Sequence, residues 1–320
     1  MKKGFKITKV VEVTEALIEY RDTYNEKGKY LGFENLNDLY TMQLGTCTDW
    51  TGFPRSGKTQ VLMELLLNTS KYYGWKHLVY FPDVGNDIEV IADLMHKLTG
   101  KTFNPTYKNA ISDDEIAMNL DFIFNHFYIL TKENVKAKVT PYQFWDYAVE
   151  LDLEVGIQTA SVDSWKDLKH DTSKFGRDDK YLEDVLSYRN DIAERNNLHL
   201  HTVIHPKLLA KDNGVRPAPT PYDLKGGSEW FNSGKNMITI HRENMEGVEC
   251  QFIVNKAKPR SSGTIGNCLL SFDITKLVYY EFTEGGKVYS NENKQTNVIP
   301  FEKKLIPNNR FENEIEETPF

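Results

Sequence analysis

One eight-residue segment, Gly52-Phe53-Pro54-Arg55-Ser56-Gly57-Lys58-Thr59, constrains this chain more than any other part of its sequence. It fits the pattern G-x-x-x-x-G-K-[ST] at every fixed position. The glycines let the backbone curl so that successive N–H groups point inward, and a helix that follows the loop adds the positive end of its dipole. A segment of this kind is suited to binding phosphate oxygens.

Two side chains of this phosphate loop have separate tasks. Lys58 supplies a point charge for the β- and γ-phosphates of a nucleotide, and the Thr59 hydroxyl is a ligand for magnesium. A predicted strand before the loop and a long predicted helix over residues 60–73 give the motif the context it requires. We therefore expect ATP and Mg²⁺ to bind at residues 52–59.

Two carboxylates follow predicted strands. Asp163 comes after the run at residues 157–162, where a carboxylate beside the phosphate-loop strand can hold the water shell of magnesium. Asp167 is its near competitor, and a helix-capping role for Asp163 is the alternative. Asp83 follows the strand predicted at residues 77–81 and could orient the attacking water, although an Asp after Pro is also ordinary turn chemistry.

His205 ends another predicted strand, at residues 198–204. A polar residue there lies between the γ-phosphate and the next layer of loops, so we predict that His205 senses hydrolysis; a purely structural histidine is the alternative. His199 and His201 alternate along the same strand, and no set of metal ligands completes around them. We interpret those two as surface or core residues.

Strand and helix patterns alternate through most of the chain. The predicted strands before residue 236 are residues 47–51, 77–81, 127–130, 157–162 and 198–204, and the predicted helices are residues 59–73, 87–98, 113–124, 141–151 and 178–196. Beyond residue 236 the pattern becomes rich in strands, at residues 237–241, 249–256, 268–272 and 277–282. The fold class is therefore α/β, with a mostly parallel sheet flanked by helices and a late antiparallel extension.

Three regions follow from this pattern. Residues 1–35 are expected to form a leader or linker with one helix, residues 36–282 the main domain, and residues 283–320 a flexible acidic tail.

The 320-residue chain contains no apolar stretch long enough to span a membrane. Its three widely spaced cysteines suit a reducing compartment, so we expect a cytoplasmic protein, in a host cytoplasm if a phage encodes it. A net charge of −7 argues against wholesale coating of nucleic acid but allows a local basic groove.

Several segments, taken in order, resemble the RecA-like motor of the DnaB/Twinkle family of hexameric replicative DNA helicases, with the phage and Twinkle-like versions the most similar. These segments are Leu44-Gly45-Thr46, the phosphate loop, Tyr73-Gly74-Trp75, Phe81-Pro82-Asp83, Asp163-Ser164-Trp165, His205-Pro206-Lys207-Leu208, residues 219–228 and Lys256-Ala257-Lys258-Pro259-Arg260. The match covers residues 32–282. It implies a RecA-like P-loop NTPase in which Lys58, Thr59 and Asp163 bind the nucleotide and its metal.

The resemblance also implies two departures from the family. Asp83 stands where the family has a catalytic glutamate, so the carboxylate is one methylene shorter. Lys258 stands where the family has an arginine finger that reaches the neighbouring subunit's γ-phosphate, and Arg260 follows two residues later. Lysine lacks the planar, bidentate fork of arginine, so either Arg260 takes this role or the contact is weakened. The alternative is that residues 256–260 form a solvated basic turn.

DNA contacts in this family come from loops that face the ring centre, and two basic loops qualify here. The expected DNA-binding residues are Lys169, Lys174, Arg177, Lys211, Arg216 and Lys225. Basic side chains on loops with glycine suit sequence-tolerant, salt-dependent contacts with single-stranded phosphates. The alternative is that these are ordinary charged surface loops.

The resemblance predicts an ATP-driven helicase that forms a homo-oligomeric, hexameric ring, translocates on single-stranded DNA during replication and does not involve a membrane. The acidic C-terminus ends in Pro319-Phe320, which favours docking to a replisome partner such as a primase, polymerase or loader, unless it is only a solubilising end.

Two other functions remain open. One is a recombinase-like or loader-type DNA-binding ATPase that does not unwind, and the other is a degenerate ATP-binding ring scaffold.

Overall fold

A single mixed sheet organises the computed structural model, which describes residues 13–22, 27–131, 138–210 and 216–290. Its strands are β1 Cys47–Thr51, β2 His77–Tyr80, β3 Phe127–Leu130, β4 Thr159–Asp163, β5 His199–Ile204, β6 Asn236–His241, β7 Glu249–Lys256, β8 Gly266–Asp273, β9 Val278–Thr283 and β10 Gly286–Tyr289. The helices are α1 Thr14–Asp22, α2 Glu34–Asn37, α3 Lys58–Tyr73, α4 Asp87–Thr99, α5 Asp113–His126, α6 Pro141–Val155, α7 Asp178–Asn196 and α8 Gly227–Ser233.

The strand order is β10-β9-β8-β7-β6-β1-β5-β4-β2-β3. The pairs from β6 through β1, β5, β4 and β2 to β3 are parallel, and the pairs from β6 to β10 are antiparallel. The predicted α/β class, with a parallel centre and a late antiparallel extension, is confirmed. Because β1 lies between β5 and β6, the loop that follows it opens at the middle of the sheet.

Helix starts follow the local sequence. The Ser112 side chain accepts a hydrogen bond from Glu115 N while the Glu115 carboxylate accepts one from Ser112 N, a reciprocal capping box that begins α5 as predicted. Thr140 caps α6 in the same way with Gln143, and proline fills the first helical position. These local contacts fix where each helix begins, independently of the sheet.

Two apolar clusters cover the two faces of the sheet. One contains side chains of α3, α4 and α5, and the other contains side chains of α6, α7 and α8. Alternation along β2 shows the division, since Leu78 and Tyr80 pack in the second cluster and Val79 and Phe81 in the first. The sheet is therefore buried on both faces, as a parallel sheet requires.

Strand β4 carries a polar stripe on the α3 face. Thr159 and Ser161 are fully buried there, and Thr159 Oγ1 lies 2.7 Å from Nδ1 of the buried His77 on the neighbouring strand β2. Trp50 Nε1 on β1 donates to the buried His201 over 3.1 Å. Because side chains alternate with period two, Asp163 points to this same face, toward the start of α3.

Both predicted boundaries of the main domain need correction. Leu31 and Phe33 are buried in the first cluster, and Lys29 pairs with Met42, so the domain begins before residue 36. Strand β10 pairs with β9, and Ser290 donates to the buried Glu64, so the sheet continues past residue 283. The physical reason is pairing with distant residues, which local composition does not reveal. The rest of the expected tail, residues 291–320, lies outside the described residues.

Among the helices of the described ranges, none combines the length and the apolarity that crossing a bilayer requires.

Candidate nucleotide site

The phosphate loop joins the carboxyl end of β1 to the first turn of α3. Gly52 and Gly57 adopt φ angles of 148° and 97°, which L side chains rarely adopt. A Cβ at Gly52 would lie 2.2 Å from the Ile240 carbonyl oxygen, and one at Gly57 would lie 2.3 Å from Tyr279 Oη. The two glycines are therefore required both by backbone conformation and by the closeness of β6 and β9.

The Lys58 ammonium is held inside the loop. Its Nζ donates to the carbonyl oxygens of Gly52 and Phe53, each over 2.9 Å. Burial lowers the pKa of Lys58 to about 8, while the negative charges of Asp163 and Asp83 oppose that shift. The cation is thus positioned at the centre of the loop, where phosphate oxygens would replace the two carbonyl groups.

Thr59 and Asp163 meet directly at the start of α3. The Thr59 hydroxyl donates a hydrogen bond to Asp163 Oδ2. Burial raises the pKa of Asp163 to about 6, and the Thr59 hydrogen bond and the Lys58 charge partly counter that rise. The competitor Asp167 accepts a hydrogen bond from Ser164 Oγ over 3.0 Å, within a short 3₁₀ turn, Trp165–Asp167. The structure therefore brings Asp163 to the expected magnesium ligand Thr59.

Three neighbouring strand ends converge beside this pair. Asp83 follows β2, Asp163 ends β4 and His205 follows β5, and their ligand atoms all lie within 4.8 Å of one another. His205 Nε2 lies 3.5 Å from Asp83 Oδ2. Burial lowers the pKa of His205, as do the charges of Lys58 and Lys166. The predicted water-orienting carboxylate, metal carboxylate and sensor histidine thus lie together.

A cavity of about 500 Å³ opens in front of the loop. Its phosphate end is lined by Lys58, Thr59 and the Asp83–Asp163–His205 group, and its other side by Arg242, Phe272 and Tyr279. The Arg242 guanidinium carbon lies 5.7 Å from the centroid of the Phe272 ring. Sequence reasoning missed these three residues, because Arg242 reaches the loop only through the pairing of β6 with β1, and Phe272 and Tyr279 only through the antiparallel return of β8 and β9.

Unpartnered polar atoms in the cavity wall test whether a magnesium–nucleotide fits. Among the described residues of this wall, Gln60 Oε1 and His205 Nδ1 are buried and form no hydrogen bond. Buried polar atoms without partners are uncommon in folded proteins and indicate a ligand or ordered water. Together with the Thr59–Asp163 pair and the loop cation, they fit a phosphate chain with a hard, oxygen-binding cation.

Lys258 and Arg260 lie where the parallel strands β1 and β6 begin, at the end of the sheet opposite the phosphate loop. Lys258 N donates to Asn236 Oδ1 over 3.1 Å, and Asn236 Nδ2 donates to the carbonyl oxygen of Cys47, the first residue of β1. The phosphate loop begins after the last residue of β1, four residue steps or roughly 13 Å along the strand. Both basic side chains are exposed. They therefore lie away from the phosphate loop of their own chain.

The residues predicted to bind DNA follow β4 and β5, on loops at the phosphate-loop edge. Lys169 and Lys174 are exposed and form no ion pair with the described residues. Arg177 pairs with Asp179, and Lys225 Nζ lies 2.9 Å from Asp178 Oδ2. Of these four residues, Lys169 and Lys174 are therefore the two without an ion-pair partner among the described residues.

Arg216 has a different environment from the other predicted DNA-binding residues. Its guanidinium carbon lies 5.0 Å from the centroid of the Phe53 ring in the phosphate loop, and its Nε donates to the Leu209 carbonyl oxygen over 3.2 Å. Arg216 therefore packs one predicted DNA-binding loop against the nucleotide site. Lys211 lies outside the described residues.

Comparison with known proteins connects this geometry to a family. No protein-family model matches the chain. It is 25% identical over 271 residues to a Twinkle homolog protein of Arabidopsis thaliana, described as chloroplastic/mitochondrial; the match covers 80% of this chain and 36% of that protein. The chain thus spans little more than a third of the length of that curated relative.

Two solved structures share the fold. One, described as an ATPase domain, superposes with a TM-score of 0.69 at 15% identity, covering 86% of this chain and 99% of that one. A DnaB-like replicative helicase, described with its interactions with primase, superposes with a TM-score of 0.68 at 16% identity, covering 86% of this chain and 68% of that one. The predicted RecA-like fold is confirmed by these two structures, and the chain is similar in sequence to the Twinkle homolog over 80% of its length.

Proposed function

We propose that this chain is an ATP-driven helicase motor that hydrolyses Mg-ATP between the subunits of a ring and translocates on single-stranded DNA during replication. The observation that carries the proposal is the convergence of the Thr59–Asp163 pair with Asp83 and His205 in front of Lys58. The Twinkle relationship and the RecA-like core support it.

In this proposal the phosphate end performs hydrolysis with the residues already in place. Lys58 Nζ exchanges its two carbonyl partners for β- and γ-phosphate oxygens. Thr59 and Asp163 would hold Mg²⁺, which when bound neutralises the charge that develops on the phosphates. Asp83 orients the attacking water and accepts its proton on a carboxylate oxygen. His205, at the end of β5, changes its contacts when the γ-phosphate leaves.

The other side of the cavity suits the base of the nucleotide. Phe272 offers an aromatic face, Arg242 a cation beside it, and Tyr279 connects this wall to the loop by donating from Oη to the Gly57 carbonyl oxygen over 3.3 Å. Flat aromatic and guanidinium groups stack on purine rings. These residues would set the affinity for the nucleotide without taking part in the chemistry.

A ring would complete the site. Because Lys258 and Arg260 lie at the edge of the sheet opposite their own phosphate loop, a second copy would have to present them to it. A cation that reaches the γ-phosphate from a neighbouring subunit stabilises the transition state and makes turnover depend on assembly. We propose a hexamer, in keeping with the family resemblance, with Lys258 or Arg260 as this trans residue.

Single-stranded DNA would bind at the loops that follow β4 and β5. Lys169 and Lys174 are the residues most available for phosphate contacts, since Arg177 and Lys225 are engaged by aspartates. Contacts of this kind give affinity that falls steeply with salt. Docking of a primase, polymerase or loader by the acidic C-terminus stays a prediction, because that segment lies outside the described residues. The cytoplasmic location likewise stays a prediction.

A ring scaffold that binds ATP with little turnover, or a loader-type ATPase that does not unwind, is the second candidate. The observation that favours it is the Asp83 carboxylate, which is engaged by Lys166 at 3.0 Å instead of being free for water. The lysine at position 258, in place of an arginine, points the same way. Both features predict slower turnover, while nucleotide binding would be unaffected.

ATP hydrolysis by the purified protein, with and without single-stranded DNA, tests the proposal. We expect strong stimulation by DNA, and Lys58→Ala should abolish both rates because it removes the cation from the loop. Fork unwinding should then follow the same dependence. Turnover that ignores DNA would overturn the motor and favour the scaffold, and DNA-stimulated turnover without unwinding would favour the loader.

A further inference from the structure

Lys166 lies between the two functional parts of the molecule. It belongs to the 3₁₀ turn directly after β4, three residues beyond the metal carboxylate Asp163. Its Nζ lies 3.0 Å from Asp83 Oδ2, and no other lysine or arginine in the described ranges pairs with that carboxylate. The segment that it begins continues to Lys169 and Lys174, the exposed cations nearest the expected DNA path.

An ammonium group at this distance changes what the Asp83 carboxylate can do. It occupies one carboxylate oxygen, so that oxygen is not available to orient a water molecule. His205 lies farther away, at 3.5 Å, and Lys58 is committed to the loop carbonyls. Among the described residues, Lys166 is therefore the lysine or arginine paired with Asp83.

The contact is also easy to exchange. The Lys166 side chain is 59% exposed and the Asp83 side chain 37% exposed. Ion pairs at such exposure are weak because water screens them. A lysine side chain is long and flexible, so it can turn from Asp83 to another anion without backbone movement. Single-stranded DNA crossing the adjacent basic segment would present a dense row of phosphates to it.

We propose that Lys166 is a brake on hydrolysis, which pairs with Asp83 in the absence of DNA and releases it when a backbone phosphate of single-stranded DNA takes the ammonium group. The proposal rests on the proposed function, since it assigns Asp83 to water activation and the adjacent loop to DNA. It makes Lys166 a positioning residue that acts through Asp83. DNA stimulation then has a local cause, the exchange of one ion pair.

The test compares DNA-free and DNA-saturated ATP hydrolysis in wild type, Lys166→Ala and Lys166→Arg. Lys180→Ala is the matched control, because Lys180 forms a similar exposed pair with Glu183 at 2.7 Å, on α7. For Lys166→Ala we expect a DNA-free rate about two- to fivefold above wild type and an unchanged DNA-saturated rate. Lys166→Arg should restore the low DNA-free rate, and Lys180→Ala should match wild type.

Other results would overturn the brake. If Lys166→Ala lowers both rates, the ammonium group acts on the nucleotide's own phosphates, and if it changes neither rate, the pair with Asp83 has no effect. Circular dichroism and Mg-ATP binding confirm that each variant is folded. The proposed function fails separately, if the wild-type rate ignores DNA. Should wild type be inactive, turnover in Lys166→Ala alone would still support the brake, and its absence would overturn it.

Discussion

The parallel strands carry different parts of the proposed site at their two ends. We call the side where the strands end the carboxyl edge and the side where they begin the amino edge. At the carboxyl edge, the ligand atoms of the exposed Asp83, the buried Asp163 and the half-buried His205 lie within 4.8 Å of one another, and the buried Lys58 lies in the adjoining phosphate loop. At the amino edge, Lys258 and Arg260 are exposed basic residues beside the start of β1. The first edge can bind and position a nucleotide within one chain, whereas the second has chemistry to offer only to another molecule.

This difference gives each edge its own experimental signature. Changes at the carboxyl edge should impair the subunit that carries them, in any state of assembly. Changes at the amino edge should impair a neighbour, so they should be complemented when two defective chains are mixed.

The double variant Lys258→Ala/Arg260→Ala should lose about 10³-fold in turnover while it still binds Mg-ATP, because it removes the trans cation. Mixed with the Lys58→Ala variant, it should regain activity, since intact phosphate loops then face intact basic residues across some interfaces. The measurement is hydrolysis against mixing ratio. A mixture no more active than its two components would contradict the assignment, and the single variants decide between Lys258 and Arg260.

Asp83→Asn should lower kcat about 10²-fold with little change in KM, because the amide keeps the shape but cannot accept the proton of the attacking water. Asp83→Glu should retain activity, since the longer carboxylate matches the residue at this position in the family that the sequence resembles. Asp87→Asn, four residues later at the start of α4, is the matched control. Mixing with Lys58→Ala should not rescue Asp83→Asn, and rescue would break the contrast between the edges.

Buried histidines between the two edges predict acid sensitivity of the fold. Burial lowers the pKa of His77 to about 3 and that of His199 to about 4, and it lowers the pKa of His201 well below its usual value. Below pH ~6.5 these histidines therefore bind more protons in the unfolded chain, so their contribution to stability is constant above that pH and falls as pH drops toward the folded pKa values.

Each such histidine contributes up to ~1.4 kcal/mol per pH unit to the free energy of unfolding in that range. Urea unfolding at pH 7.5, 6 and 5 measures the slope. His199→Asn should make it shallower, whereas His96→Gln, at a half-buried histidine bonded to the Thr275 carbonyl group, should leave it unchanged. Equal slopes in all three proteins would show that the buried histidines do not govern the acid limit.

Phe272→Ala gives the smallest expected effect, about a tenfold rise in KM for ATP with kcat unchanged, because it removes a stacking surface from the base side of the cavity. Phe282→Ala is the control, since Phe282 is 64% exposed on β9 and lies outside the cavity lining. A fall in kcat with KM unchanged would place Phe272 in the chemistry and not in binding.

Much of the carboxyl edge was predictable because its residues follow strands that pair in a parallel sheet. The phosphate loop, Asp83, Asp163 and His205 each stand directly after an apolar run, and the carboxyl ends of parallel strands meet at one edge. The polar character of β4, with Thr159 and Ser161, was visible too. Its cause, the buried histidines of neighbouring strands, came only from the structure.

What the sequence could not predict depends on distant contacts. Phe272 and Tyr279 are ordinary strand residues until β8 and β9 return beside the loop, and Lys166 is one more surface cation until β4 and β2 lie side by side. Arg216 shows the same effect, since its ring contact with Phe53 joins residues separated by most of the domain. Side-chain partners at such separations are fixed by strand order, which no local pattern encodes.

The sequence by itself therefore determined the phosphate-loop motif, the element order and the family resemblance, because backbone conformation at glycines, helix caps and strand periodicity are local properties. Only the tertiary structure decided which side chains share the cavity, where the domain begins and ends, and that Lys258 and Arg260 face away from their own phosphate loop. Those outcomes follow from strand register and burial, which arise when residues far apart in the chain pack together.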